Sequence, residues 1–223
     1  GQHLASNAEL LQSGKHLGKI NITDVVQAAD GVEAVAVGNG TAGRETQAFV
    51  KQALDTQAVP VIMVIQGRCW GGGMQIALGA DFRMASPDAS FSIMEGKWGL
   101  IPDMGGNLAI RELVPKDIAM RLTMTAEVIS AQTALDYGLI TQMAEKPLDE
   151  AMHLASQVAE RSPDAVAALK KLYHQNWFKA EWKMLAKESY YQLKILLGKN
   201  QSKAVKRQLN TDKNIKYVVR NKW

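Results

Sequence analysis

Three consecutive glycines, Gly71-Gly72-Gly73, precede Gln75, and two carboxylates, Glu95 and Asp103, lie twenty and twenty-eight residues beyond it. If the glycines open a helix, its first-turn N–H groups are unpaired and carry the positive end of the helix dipole. Glycine lets a ligand approach such a backbone closely. An oxygen gaining negative charge, an enolate for instance, is stabilised there, one well-placed donor typically contributing about 10²–10³ in rate. A carboxylate beside that position adds the means to remove and return a proton. Each feature also has a plainer reading: tight strand-to-helix packing for the glycines, a surface residue for Glu95, and a turn or helix cap before Met104-Gly105-Gly106 for Asp103.

Other chemistries lose their evidence. His3, His16, His153 and His174 have no ligand-like spacing with each other or with Cys69, no CxxC pair exists, and no metal site is expected. A G-x-S-x-G elbow is absent, and the glycine run carries no Lys-Ser/Thr of a phosphate-binding loop.

The elements that would hold the site follow from hydrophobic pattern. Val59 to Ile65 is a continuous β-branched and apolar run, the mark of a strand buried on both faces. A glycine-rich turn over 67–73 follows, then a helix over Met74 to Leu78, a strand over Asp81 to Ala85 and a shorter one over Ser90 to Met94. Strand, glycine turn and helix make an α/β unit whose mouth both carboxylates can reach. Residues 99–106 are turn-rich. Helical periodicity then covers Leu108–Leu113, Asp117–Met124, Ser130–Tyr137, Leu148–Glu160, Asp164–His174 and Phe178–Leu197. In the last helix Phe178, Trp182, Leu185, Ser189, Leu193 and Leu196 form one stripe, read first as internal packing and second as a subunit interface. Upstream, Arg44 to Leu54 suits an amphipathic helix, and Val32 to Val37 reads as either a short strand or a turn of buried helix.

The chain has 223 residues, 47% of them hydrophobic and 22% charged, which excludes a disordered polymer. No apolar run approaches the ~18 residues of a membrane span. One cysteine and no signal-like leader fit a reducing cytoplasm. The formal charge of +4 is unevenly placed: residues 1–162 carry 12 basic and 18 acidic side chains, residues 163–223 carry 14 and 4. We therefore expect two regions, 1–162 and 163–223, the second basic enough to meet a polyanion or simply to be solvated.

With these residues assembled, the chain resembles the crotonase, or enoyl-CoA hydratase/isomerase, superfamily. The likeness is carried by Pro60-Val61-Ile62, Gly67, Gly71-Gly72-Gly73, Ala77, Asp81-Phe82-Arg83-Met84-Ala85, Phe91, Glu95, Gly99-Leu100-Ile101-Pro102, Gly105-Gly106 and Ser130-Ala131-Ala134-Gly138-Leu139. It covers residues 57 to 210, and 1–20 faintly. The resemblance implies an α/β fold, a spiral of β-β-α units over 1–162 and a helical C-terminal region over 163–223 that builds trimers, often paired into hexamers. It implies an acyl-CoA thioester as ligand, with coenzyme A as part of the substrate and no separate cofactor. The thioester oxygen would be held by the backbone N–H groups of Gly72 and Ala8. Asn7 stands where the family has glycine before the second donor, a residue tolerant of left-handed backbone. The family also carries further chain before residues 3–9, a part expected to be absent here.

The catalytic pattern departs from that of the family's hydratases, which carry a carboxylate after the glycine run and a second one twenty residues on. Here the first is Gln75, which exchanges no proton at neutral pH, and Glu95 remains. The resemblance therefore implies an isomerase: Glu95 moves the proton, Asp103 matches a second acid of the dienoyl-CoA isomerase branch, and Gln75 orients substrate or water. That branch has Asp at the position of Gln75. Gly71 and Trp98 complete the expected substrate-binding set, Trp98 and Met94 reading equally as core packing. Two other readings stand beside it. One is a catalytically silent, hydratase-like scaffold. The other, weaker for lack of a motif, is nucleic-acid binding through Lys170, Lys171, Lys179, Lys183, Lys187 and Lys194, interleaved with Trp177, Tyr190 and Tyr191.

Overall fold

The computed structural model describes residues 24–29, 32–37, 60–210 and 215–219. Ala8, the segment 3–9 and the expected helix Arg44 to Leu54 lie outside the described residues. The chain divides into two compact units, the larger built on Val61–Leu154 and the smaller on Ala155–Trp223.

In the larger unit a five-stranded sheet has the order β1 (Asp24–Ala29), β2 (Val32–Val37), β3 (Val61–Ile65), β5 (Phe82–Ala85), β8 (Gln142–Met143). Val32 to Val37 is thus a strand, parallel to β3 with Val35 opposite Met63. β3 has parallel neighbours on both sides and every residue buried, which is why its sequence is continuously apolar rather than alternating. A second sheet joins β4 (Arg68–Trp70), β6 (Ser90–Ser92) and β7 (Ile129–Ser130).

Helix α1 (Gly72–Leu78) starts directly from β4 and is buried from Gly73 to Leu78. A helix buried all round requires a partner for any polar side chain on it, and Gln75 is such a residue. Its far end is tied by Arg83, whose guanidinium donates to Ala80 O at 2.6 Å, Leu78 O at 3.4 Å and Leu139 O at 2.7 Å. Burial lowers the pKa of that guanidinium, opposed by the charge of Asp81. Phe91, Met63, Ile65, Met74 and Leu139 are among the side chains that fill the core beside α1.

Two local expectations change. Residues 67–73 contain the short strand β4, paired in parallel with β6 from Arg68↔Ser90 to Trp70↔Ser92. The strand expected over Ser90 to Met94 stops at Ser92, and Met94–Trp98 forms a 3-10 helix. β6 ends where its partner ends, because Gly71, at φ +55°, turns the β4 backbone into α1. Beyond lie α2 (Gly106–Leu113), α3 (Lys116–Thr125), α4 (Ala131–Asp136) and α5 (Pro147–Ala159).

The smaller unit contains α6 (Pro163–Asn176), α7 (Glu181–Leu196) and α8 (Lys199–Asn210). Leu172 and Tyr191 are buried together with Ala168, and Ile195 packs against them. Asn200 Nδ2 donates to Asp164 Oδ2 and to Val218 O, both at 3.0 Å, while Val218 N donates to Asn200 Oδ1 at 2.8 Å. The helix expected from Phe178 begins at Glu181, since Ala180 is extended at φ −53°, ψ 139°. The first reading of the stripe as internal packing is also overturned. Phe178, Trp182, Leu185, Leu193 and Leu196 are 53–67% exposed, while Tyr191, off that stripe, is buried. Among the described residues no helix is long and apolar enough to cross a membrane.

Candidate active site

The site begins at the junction of β4 and α1. Gly71 N–H donates to Ser92 O at 2.9 Å, locking the turn against β6, and Gly71 O receives Gln75 N–H at 3.0 Å, the first helical bond. Gly72 is the first residue of α1, where backbone N–H groups have no partner within the helix. The positive φ of Gly71 strains any other residue there.

Glu95 sits in the 3-10 helix that follows β6, so the pairing of β4 with β6 sets it down beside the glycine turn. Its Oε1 is 3.9 Å from the position a Cβ on Gly71 would take. The same oxygen accepts a hydrogen bond from Gln75 Nε2 at 2.5 Å. Oε2 is buried and, among the described residues, has no hydrogen-bond partner. An unpaired buried carboxylate oxygen is costly and uncommon, which makes Glu95 a candidate for chemistry.

Gln75 joins a third segment to these two. Its Oε1 accepts from Met104 N at 2.9 Å and Gly106 N at 3.3 Å. Gly106 is required for this: a Cβ there would lie 2.7 Å from Gln75 Cγ. The 102–107 turn is closed by Asn107 Nδ2, which donates to Pro102 O at 2.9 Å. Behind Glu95, Gly96 is seated on the end of α3, where an added Cβ would meet Thr123 O at 2.7 Å.

The structure therefore brings together Gly71, Gly72, Gln75 and Glu95. Asp103 is adjacent in chain to Met104, but its side chain is exposed and caps nothing, since Gly105 is the N-cap of α2 and Asn107 closes the turn. Trp98, 77% exposed, is not core packing. Met94 is half-buried, with its Cβ 3.7 Å from the Cβ position of Gly71. Sequence reading missed the parts played by Gly96, Gly106 and the Met104 N–H. The Gly105-Gly106 pair at a helix start was their one visible signal.

The model of the enoyl-CoA hydratase/isomerase family matches residues 33–215. A carnitinyl-CoA dehydratase of Salmonella agona is 39% identical over 116 residues, covering 51% of this chain and 44% of that protein. The matched chain thus spans less than half the length of such curated relatives. Among solved structures, a putative enoyl-CoA hydratase/isomerase from Mycobacterium abscessus superposes with a TM-score of 0.75 at 21% identity, over 88% of this chain and 97% of that one. An enoyl-CoA hydratase from Polaromonas sp. JS666 superposes with a TM-score of 0.71 at 25% identity, over 97% of this chain and 88% of the other. The α/β fold with a helical C-terminal region is the fold of these neighbours.

Proposed function

Since this chain belongs to the enoyl-CoA hydratase/isomerase family, we propose that it shifts a carbon–carbon double bond in an enoyl- or dienoyl-CoA thioester. Glu95 removes a proton from the carbon between the double bond and the thioester. The electron pair of the broken C–H bond spreads into a dienolate whose oxygen takes up the negative charge. The same carboxyl then gives the proton to the far end of the conjugated system, a new C–H bond forms, and the carboxylate is restored. The backbone N–H groups of Gly72 and Ala8 hold the oxygen, and Asp103 serves as a second acid for a distal carbon. Coenzyme A enters as part of the substrate, in the cytoplasm.

The observation that carries this reading is one carboxylate with a buried, unpaired oxygen beside the glycine turn, with an amide, Gln75, where a second would stand. Adding water asks for one group on the nucleophile and another on the α-carbon proton, whereas one carboxylate suffices to shuttle a proton between carbons. A second reading, elimination of water, is favoured by the likeness to carnitinyl-CoA dehydratase. It begins with the same proton abstraction, and the carboxyl would then protonate the departing hydroxyl.

A second copy of the chain is the proposed occupant of the exposed stripe on α7, in a trimer or a pair of trimers, as the family resemblance implies. The experiment is to offer the purified protein 3-enoyl-CoA, dienoyl-CoA, 2-enoyl-CoA and 3-hydroxyacyl-CoA and identify the products. Double-bond migration supports the isomerase, water loss or addition supports the second reading, and binding without turnover would leave the silent scaffold.

A further inference from the structure

We infer that Gln75 is a positioning residue that reserves Oε1 of Glu95 and leaves Oε2 as the oxygen that exchanges the substrate proton. This rests on the proposed proton transfer at Glu95 and goes beyond it by assigning the reacting atom and the group that selects it.

The orientation of the Gln75 amide is dictated by its surroundings. One end faces two main-chain donors, Met104 N at 2.9 Å and Gly106 N at 3.3 Å. Only the carbonyl oxygen can accept from both, since a flipped amide would set NH2 against two N–H groups. Nε2 must then point at Glu95, 2.5 Å from Oε1. A donor facing Oε1 requires that oxygen to be an acceptor, so a proton carried by Glu95 resides on Oε2. Among the described residues no donor reaches Oε2, which is buried. The carboxyl group is thus asymmetric before any substrate arrives: one oxygen anchored through Gln75 to the 104–106 backbone, the other spare.

With both lone pairs of its carbonyl engaged and 4% of its surface exposed, Gln75 has little left to offer a substrate. Its effect reaches the reaction through Glu95. The shuttle takes a proton at Oε2 and returns it from Oε2, and pinning Oε1 prevents the rotation that would carry the proton away between the two carbons.

The test uses two measurements. The first is independent of turnover: the Gln75 side-chain amide of the uniformly 15N-labelled protein is followed in wild type and in Glu95→Ala. A slowly exchanging amide proton in the wild type that becomes fast in the variant, with an unchanged backbone spectrum, supports the anchor; the same protection in both overturns it. The second is turnover of 3-enoyl-CoA in D2O by wild type and Gln75→Leu. We expect kcat to fall about 10- to 100-fold with KM little changed, and deuterium incorporation per turnover to rise. Unchanged kcat, or a loss confined to KM, overturns the positioning role. A wild type that turns over no acyl-CoA sinks the proposed function instead, and the amide measurement alone then decides the anchor.

Discussion

Gly106 and Gln75 fit against each other so closely that a methyl group on the glycine would lie 2.7 Å from Cγ and 2.9 Å from Oε1 of the glutamine. Gln75 has no room to retreat, being buried in α1 and tied at both polar ends. Gly106→Ala gains helix propensity but must displace Gln75, a net destabilisation of about 1–3 kcal/mol. The variant is expected to unfold at lower temperature and to lose kcat on 3-enoyl-CoA; wild-type values in both would contradict the fit.

The parts of this site visible in the sequence are those with a local signature. The continuous apolar run Val61–Ile65 announced a strand with neighbours on both faces, and Gly71-Gly72-Gly73 announced a turn into a helix. Glu95 stood out by spacing alone. What could not be read was anything that depends on a non-local neighbour. The 3-10 helix under Glu95 exists because β4 ends at Trp70 and leaves β6 without a partner beyond Ser92. The demand for glycine at 96 and 106 comes from Thr123 and Gln75, 27 and 31 residues away in sequence. On α7 the periodicity was correctly helical, but spacing cannot tell which of two apolar faces turns inward, and Tyr191 rather than Leu193 does so.

Gly96 gives a second steric prediction. Its added Cβ would meet the carbonyl oxygen of Thr123 at 2.7 Å, a main-chain atom at the end of α3 that cannot swing aside. Gly96→Ala should push the 3-10 helix off α3 and carry Glu95 with it. A fall of about 1–3 kcal/mol in unfolding free energy, read by urea titration, should accompany a loss of isomerisation. Retention of both would show that the helix has slack.

Cys69 predicts a dependence on pH. Burial pushes its thiol from 9.0 up to about 12. The folded protein therefore holds this proton where the unfolded chain has lost it. The stabilising contribution is complete below pH 9 and is lost progressively as pH rises from about 9 to about 12. In Cys69→Ala that segment of the stability curve should flatten relative to wild type. The native thiol should also resist iodoacetamide at pH 8 and react once the protein is unfolded; rapid labelling of the folded protein would contradict its burial.

The exposed stripe on α7 predicts an assembly. Trp182 at 67% and Leu193 at 58% exposure are large apolar surfaces on one helix. Trp182→Glu combined with Leu193→Lys should shift sedimentation from the proposed trimer or hexamer to the monomer without melting α7, as read by circular dichroism. A wild-type chain that is monomeric at tens of micromolar, or a variant that assembles unchanged, would remove the second copy as the occupant.

The most direct measurement is double-bond migration in 3-enoyl-CoA by the wild type and by Glu95→Gln, with binding of a saturated acyl-CoA followed in parallel. Product is expected from the wild type and a loss of about 10²–10⁴-fold in the variant, with acyl-CoA affinity retained. A variant within about threefold of wild type in kcat/KM, or a wild type that binds the thioester and moves no double bond, would contradict it.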